Sequence, residues 1–194
     1  METQQSYKDN CVNTISRTTM PDELKWHVFY TYPKSEKKVA DELAKDGYEI
    51  FLPCKLTIRQ WHDRKKTFSV PLFPSYIFVK APKNKLYYIL KYNNICSFVK
   101  FNDKPAVIRD EEIINIKKIL GLTDDIDVSN EFQCGDKVKI TQGPLSGLEG
   151  FIVRKNGSSK FAVQIKELMQ YVIVLIDAKD MLNDHFEYTL IKKK

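Results

Sequence analysis

The side chains able to do covalent or metal chemistry in this chain are few and scattered. Four cysteines, Cys11, Cys54, Cys96 and Cys134, stand far apart, none in a C-x-x-C pair, and only three histidines accompany them. A structural zinc site needs such ligands at close spacing, so no metal is expected. The same spacing gives no disulfide framework, which fits a reducing compartment. His62 and Asp63 are adjacent, but no nucleophile motif joins them. There is no glycine-rich phosphate loop. We therefore expect no enzyme and no cofactor. The chain is instead rich in binding chemistry. Within residues 53–70, Lys55, Arg59, Arg64, Lys65 and Lys66 surround Trp61 and His62. Such cations neutralise phosphates. The tryptophan could stack on a base or brace a hairpin, and both readings stand.

The charge that goes with this chemistry is unevenly distributed. The chain is +6 overall. Residues 22–120 hold 19 Lys/Arg against 12 Asp/Glu, residues 121–131 hold four acids and no base, and residues 132–182 hold seven bases against five acids. A basic segment of this kind suits nucleic acid or an acidic protein surface, and a surface that only aids solubility is the equally weighted alternative. Hydrophobic residues make up 43% of the 194 residues, enough for the core of one large or two small domains. No apolar run approaches the ~20 residues of a membrane span, and the polar N-terminus lacks a signal pattern. A cytoplasmic location with no membrane partner is the expectation.

The elements that must position these groups can be read from patterning. Residues 1–21 read as a disordered lead-in. A strand follows at Trp26–Tyr30, and Ser35 can cap a helix over about 36–46, with Val39, Ala40, Leu43 and Ala44 as its apolar stripe and Gly47 as its stop. Tyr48 to Leu52 reads as a strand, and residues 53–70 as an extended hairpin or arm. Ser75 to Lys80 alternates, with Tyr76 and Phe78 on one face and Ile77 and Val79 on the other. A helix is expected over 83–91, a strand over Ile95–Phe101, and a helix over 111–120, capped by Asp110 and ended by Gly121. The acidic stretch 121–131 reads as a linker that keeps two domains apart. Short strands at Lys137–Thr141, Gly150–Arg154, Phe161–Ile165 and Tyr171–Ile176, with glycine-bearing turns, make the pattern of a small β-barrel.

Two segments in this order carry a resemblance. Pro71-Leu72-Phe73-Pro74-Ser75-Tyr76-Ile77-Phe78-Val79-Lys80 is followed downstream by Gly135-Asp136-Lys137-Val138-Lys139-Ile140 and Gly143-Pro144-Leu145-Ser146-Gly147-Leu148-Glu149-Gly150. Together they resemble the NusG family of transcription elongation factors, over roughly 24–120 and, for the KOW part, 132–182. The resemblance implies an α+β fold. An N-terminal α/β sandwich with an antiparallel sheet (22–120) would be joined by the linker 121–131 to a five-stranded KOW barrel (132–182) and a tail (183–194). General family members often carry glycine where this chain has Ser75. The PLFP-x-Tyr-x-Phe-Val form is more similar to the specialised paralogs RfaH and the UpxY regulators of polysaccharide operons.

What the family does then becomes the expectation here. The N-terminal domain would bind the clamp helices of the RNA polymerase largest subunit and raise processivity, as an operon-specific antiterminator and a monomer. The matching contact positions are Tyr76, Phe78, Phe101 and Ile113, with Val28, and the alternative for Phe78 and Ile113 is that they fill the domain's own core. Tyr87 and Tyr88 fall where RfaH meets the polymerase gate loop, or pack on the sheet. Specialised members touch non-template DNA, for which Lys37, Lys38, Lys45 and Lys91 would contact phosphates and Asn93 and Asn94 read bases, or the lysines are simply solvated. RfaH carries arginine at the position of Ile95, which this chain lacks. Leu145 matches the exposed turn residue through which KOW domains meet a ribosomal protein or Rho. Residues 161–176 could support a helical hairpin, but the barrel, with the polymerase patch open, is the expected resting form. An RNA-binding, ribosome-associated KOW protein is the competing function. It would put the basic excess in the second domain rather than the first.

Overall fold

The computed structural model describes residues 23–60, 65–122, 126–129, 134–142, 145–155, 158–165, 168, 170–174 and 188–190. Expectations resting on residues 1–22, and on Trp61, His62 and Arg64, lie outside these.

The first sheet is antiparallel, in the order β2 (Glu49–Phe51), β5 (Tyr76–Ala81), β1 (Lys25–Thr31), β6 (Ile95–Phe98), with β9 (Val107–Ile108) also pairing β1. Its central strands are rich in aromatic and β-branched residues and are buried on both faces. Side chains two apart share a face of a strand, so Phe29, Ile77 and Val79 go to one side. There they meet Val39 and Leu43 of α1 (Glu36–Lys45) and Leu86 and Ile89 of α2 (Leu86–Ile89). Trp26, Val28 and Phe78 go to the other side, where α3 (Asp110–Leu122) supplies Ile113, Ile116 and Ile119.

Local details depart from the sequence expectations for identifiable reasons. Ser35 makes no side-chain cap on α1; the adjoining carboxylate, Glu36, is turned inward to another partner. The helix expected over 83–91 is a 3-10 turn (Lys83–Lys85) followed by the single turn α2. Asp110 does not cap α3. The Arg109 amide donates to Glu112 Oε2 at 3.1 Å, a reciprocal cap of the Ncap–N3 type. Asp110 Oδ1 instead accepts from Trp26 Nε1 at 2.8 Å and from Lys80 Nζ at 3.1 Å. Gly121 does not end the helix, which runs on to Leu122.

The arm is a regular hairpin. β3 (Cys54–Gln60) and β4 (Lys65–Pro71) pair from Cys54 opposite Pro71 to Gln60 opposite Lys65. Two short strands, β7 (Lys100–Phe101) and β8 (Lys104–Pro105), make a second small hairpin.

Among the described residues the C-terminal half is a six-stranded antiparallel sheet. The order is β10 (Ile126–Ser129), β14 (Gln170–Val174), β13 (Ser158–Ile165), β12 (Glu149–Lys155), β11 (Cys134–Ile140), β15 (Tyr188–Leu190). The strand readings of Phe161–Ile165 and, as far as Val174, of the segment from Tyr171 hold, since Phe161 lies opposite Val174 and Ile165 opposite Gln170. A closed five-stranded barrel is not found among the described residues, where the outer strands β10 and β15 do not pair with each other. Residues read as linker account for the sixth strand. Ile126, 2% exposed, is buried in β10 beside β14, and its carbonyl accepts from Lys55 Nζ at 2.9 Å. Gly150 shows why a strand can need glycine, since a Cβ there would sit 2.4 Å from the Ala162 carbonyl oxygen. Among the described residues no helix is long and apolar enough to cross a membrane.

Candidate functional site

The seven aromatic and aliphatic positions expected to meet a partner divide sharply. Val28, Phe78 and Ile113 are 0%, 0% and 2% exposed, so a partner cannot use them as surface anchors. They form the interior beneath α3. Phe78 packs on Phe51 with ring centroids 5.8 Å apart and on Phe73 at 5.7 Å, an aromatic cluster of the kind that holds a core together. Val28 lies directly opposite Phe78 across the β1–β5 pair.

The other four positions remain accessible. Tyr76 is half-buried and meets the exposed ring of Tyr30 edge-on, with centroids 5.4 Å apart. The two are register partners at the end of β1 and β5. Burial, and secondarily Tyr30, push the Tyr76 phenol above its ordinary pKa. Phe101 is 42% exposed at the end of β7. Tyr87 and Tyr88 both face outward; Tyr87 sets its edge against Phe98 at 5.6 Å. Tyr88 lies between two ammonium groups, Lys85 Nζ at 5.1 Å and Lys91 Nζ at 5.0 Å from its ring centre.

The six expected nucleic-acid residues are brought partly together by one contact. Tyr92 donates its hydroxyl to Asp46 Oδ2, tying the end of α1 to the turn before β6. The Asp46 carboxylate, chiefly through that hydrogen bond, pushes the Tyr92 phenol up to about 12. Lys45, Lys91 and Asn93, each next in sequence to one of these two bonded residues, are exposed. Asn94 has a structural duty as well. It adopts φ 69°, a conformation that asparagine tolerates well, and its carbonyl accepts from the Tyr32 amide at 3.0 Å. Lys38 pairs loosely with Glu42 at 4.0 Å. Lys37 reaches across to the arm, where its Nζ donates to the Ser69 carbonyl at 2.6 Å. It helps hold the hairpin against α1.

Residues 24–117 match the family model described as "Transcription termination factor nusG". Residues 24–117 belong to the NusG family. Over a longer span the chain is similar to two proteins, each named "Transcription termination/antitermination protein NusG". The one from Halalkalibacterium halodurans is 24% identical over 144 residues, covering 67% of this chain and 81% of that protein. The one from Borreliella burgdorferi is 26% identical over 166 residues, covering 72% and 89%. A solved structure titled "Domain interaction in Thermotoga maritima NusG" aligns with TM-score 0.47 and 23% identity, covering 81% of this chain and 96% of that one. Another, titled "Crystal Structure of MjSpt4:Spt5 complex conformation B", aligns with TM-score 0.31. Both sequence relatives bear the names of transcription factors rather than enzymes.

The NusG segment contains the whole first sheet and most of α3, with PLFPSYIFVK forming the turn into β5 and β5 itself. Within that turn Ser75 has φ 65°, a left-handed conformation in which glycine is at ease. The serine is held there by neighbours. Its carbonyl accepts from the Thr31 amide at 2.8 Å and its amide donates to Glu36 Oε1 at 2.7 Å. Pattern reasoning did not find Glu36, because a carboxylate in the first turn of a helix ordinarily reads as a dipole partner. It also missed the Trp26–Asp110–Lys80 cluster, whose members are up to 84 residues apart.

Beyond the NusG segment, Leu145 is fully buried, which corrects its reading as an exposed contact. The turn 145–147 closes by hydrogen bonds from Leu148 N to Leu145 O at 3.1 Å and from Gly147 N to Ile140 O at 2.8 Å. The leucine side chain goes into the same cluster as Val138, Ile140 and Leu148.

Proposed function

We propose that this chain is a NusG-like transcription elongation and antitermination factor that binds RNA polymerase through its N-terminal segment. The first sheet and its helices would act as one domain and the C-terminal sheet as a KOW-type domain. The observation that carries the reading is the half-exposed Tyr30–Tyr76 pair at the end of the central strands of a NusG-family segment, 5.4 Å apart. Rigid aromatic rings in this partly desolvated setting are the usual anchors of protein interfaces. Phe101 would add a third ring. The partner surface would be the clamp helices of the polymerase largest subunit, and the consequence would be fewer pauses. The exposed Lys45, Lys91 and Asn93 would lie toward non-template DNA. Action on one operon, in the manner of UpxY proteins, is the finer form of the proposal. It is supported by the PLFP-x-Tyr-x-Phe-Val sequence. The test is direct binding of the full chain to polymerase clamp helices. Affinity that survives loss of both Tyr76 and Phe101 rings would count against the reading.

A further inference from the structure

A second basic feature belongs to none of the surfaces described above. Lys25, His27, Lys83 and Lys104 line a single cleft of about 350 Å³. They come from the start of β1, the 3-10 turn after β5, and β8. Three ammonium groups thus share one concave site. One carboxylate answers them: Glu23, which also lines the cleft, pairs with Lys25 at 2.9 Å. Among the described residues neither Lys83 nor Lys104 has an ion-pair partner. Like charges gathered in a concavity focus a positive potential that an anion relieves.

His27 gives the cleft a second, independent feature. It is 3% exposed, and its Nδ1 lies 3.1 Å from the Ala106 carbonyl oxygen. A carbonyl only accepts, so Nδ1 carries the hydrogen and Nε2 of the neutral ring holds a lone pair. Among the described residues Nε2 has no partner. An unpartnered acceptor on an otherwise buried ring that lines a cationic cleft suits a ligand that carries both an anionic group and a hydrogen-bond donor. Burial, and secondarily Lys25, keep this imidazole neutral by lowering its pKa, against the opposing pull of the Ala106 hydrogen bond.

We propose that this cleft binds a nucleotide phosphate, with Lys25, Lys83 and Lys104 holding the phosphate oxygens and His27 Nε2 accepting from a hydroxyl or amino group of the same nucleotide. The volume is at the small end of ligand sites and suits one nucleotide unit, free or within a single strand. Lys25 and the Tyr30–Tyr76 pair are at opposite ends of β1, whereas Lys104 lies opposite Phe101 in the β7–β8 hairpin, so occupancy of the cleft is measured without polymerase.

The test uses the full chain without polymerase, titrated separately with inorganic phosphate, adenosine 5′-monophosphate and a short oligothymidylate, following the His27 imidazole resonances by NMR. Adenosine monophosphate or the oligonucleotide should shift those resonances, and Lys83→Ala/Lys104→Ala should weaken the response by about tenfold. Glu23→Gln should tighten it by about twofold, because the competing carboxylate is gone. A stronger response to the monophosphate assigns a free nucleotide; a stronger response to the oligomer assigns a strand. Equal responses to inorganic phosphate and to both nucleotides would remove His27 and overturn the proposal. So would no shift with any probe, or an unchanged affinity in both variants. Failure here leaves clamp-helix binding by Tyr76 and Phe101 untouched, since that is measured separately.

Discussion

Glu36 Oε1 accepts a 2.7 Å hydrogen bond from the backbone amide of Ser75, joining the first turn of α1 to the turn that launches β5. Both residues are buried, at 5% and 7% exposed. Ser75 holds φ 65°, which costs an L-residue roughly 1–2 kcal/mol, while glycine gives back part of that gain through unfolded-chain entropy, about 0.4–1 kcal/mol. Ser75→Gly should therefore raise stability by about 0.5 kcal/mol, and Glu36→Ala, which orphans a buried amide, should lower it by about 1–3 kcal/mol. Urea midpoints of the two variants test both signs; a Ser75→Gly protein less stable than the parent would refute the strain argument.

Tyr76→Ala/Phe101→Ala should keep the fold and weaken binding to polymerase clamp helices by about 1–4 kcal/mol. Phe78→Ala should do the reverse at its origin, unfolding the protein by about 3–5 kcal/mol because it empties a core site between Phe51 and Phe73. Circular dichroism melts beside a binding titration separate the two. A Phe78→Ala protein that is fully stable yet fails to bind would return Phe78 to the interface.

Stability should depend on pH through His27. Its folded pKa lies below the ordinary 6.5, so the unfolded chain takes up the proton first. The contribution is complete above pH about 6.5 and is lost as pH falls from there toward the folded pKa. Unfolding free energies measured between about pH 5 and 7 should decline toward acid in the parent and flatten in His27→Gln. Parallel slopes would show that His27 is not the titrating group.

Leu145→Ala should cost about 2–5 kcal/mol of stability, as deletion of a buried leucine does. An exposed partner contact would predict almost no change. Thermal unfolding of the variant decides between them, and an unshifted midpoint would restore Leu145 to the surface.

Lys38→Glu/Lys45→Glu/Lys91→Glu should reduce crosslinking of the polymerase-bound factor to non-template DNA and lower its salt sensitivity, leaving clamp binding intact. Lys37 is left out of this set because its bond to the Ser69 carbonyl at 2.6 Å would confound arm docking with DNA contact. Full crosslinking yield in the triple variant would remove these three lysines from the DNA path.

Much of the protein was legible in local pattern alone. Alternation placed Tyr76 and Phe78 on one face of a strand and Ile77 and Val79 on the other. Turn residues and β-branched runs marked the segments from Lys137, Gly150, Phe161 and Tyr171 as strands rather than helices, and PLFPSYIFVK pointed to the NusG family. These follow from the chain's own periodicity and the allowed backbone angles of its residues. Only tertiary structure decided which face stays open. Val28 and Phe78 disappear because α3, some 30 residues beyond β5, lays Ile113, Ile116 and Ile119 over them. Tyr76, on the same face, stays half-exposed at the strand's end. Leu145 turns inward because its turn closes on Ile140, and Ile126 joins a sheet because a carbonyl and an apolar side chain found partners at Lys55 and β14. Period-2 and period-3.6 patterns say which side chains share a face. Burial of that face depends on a remote segment that arrives only when the chain is folded.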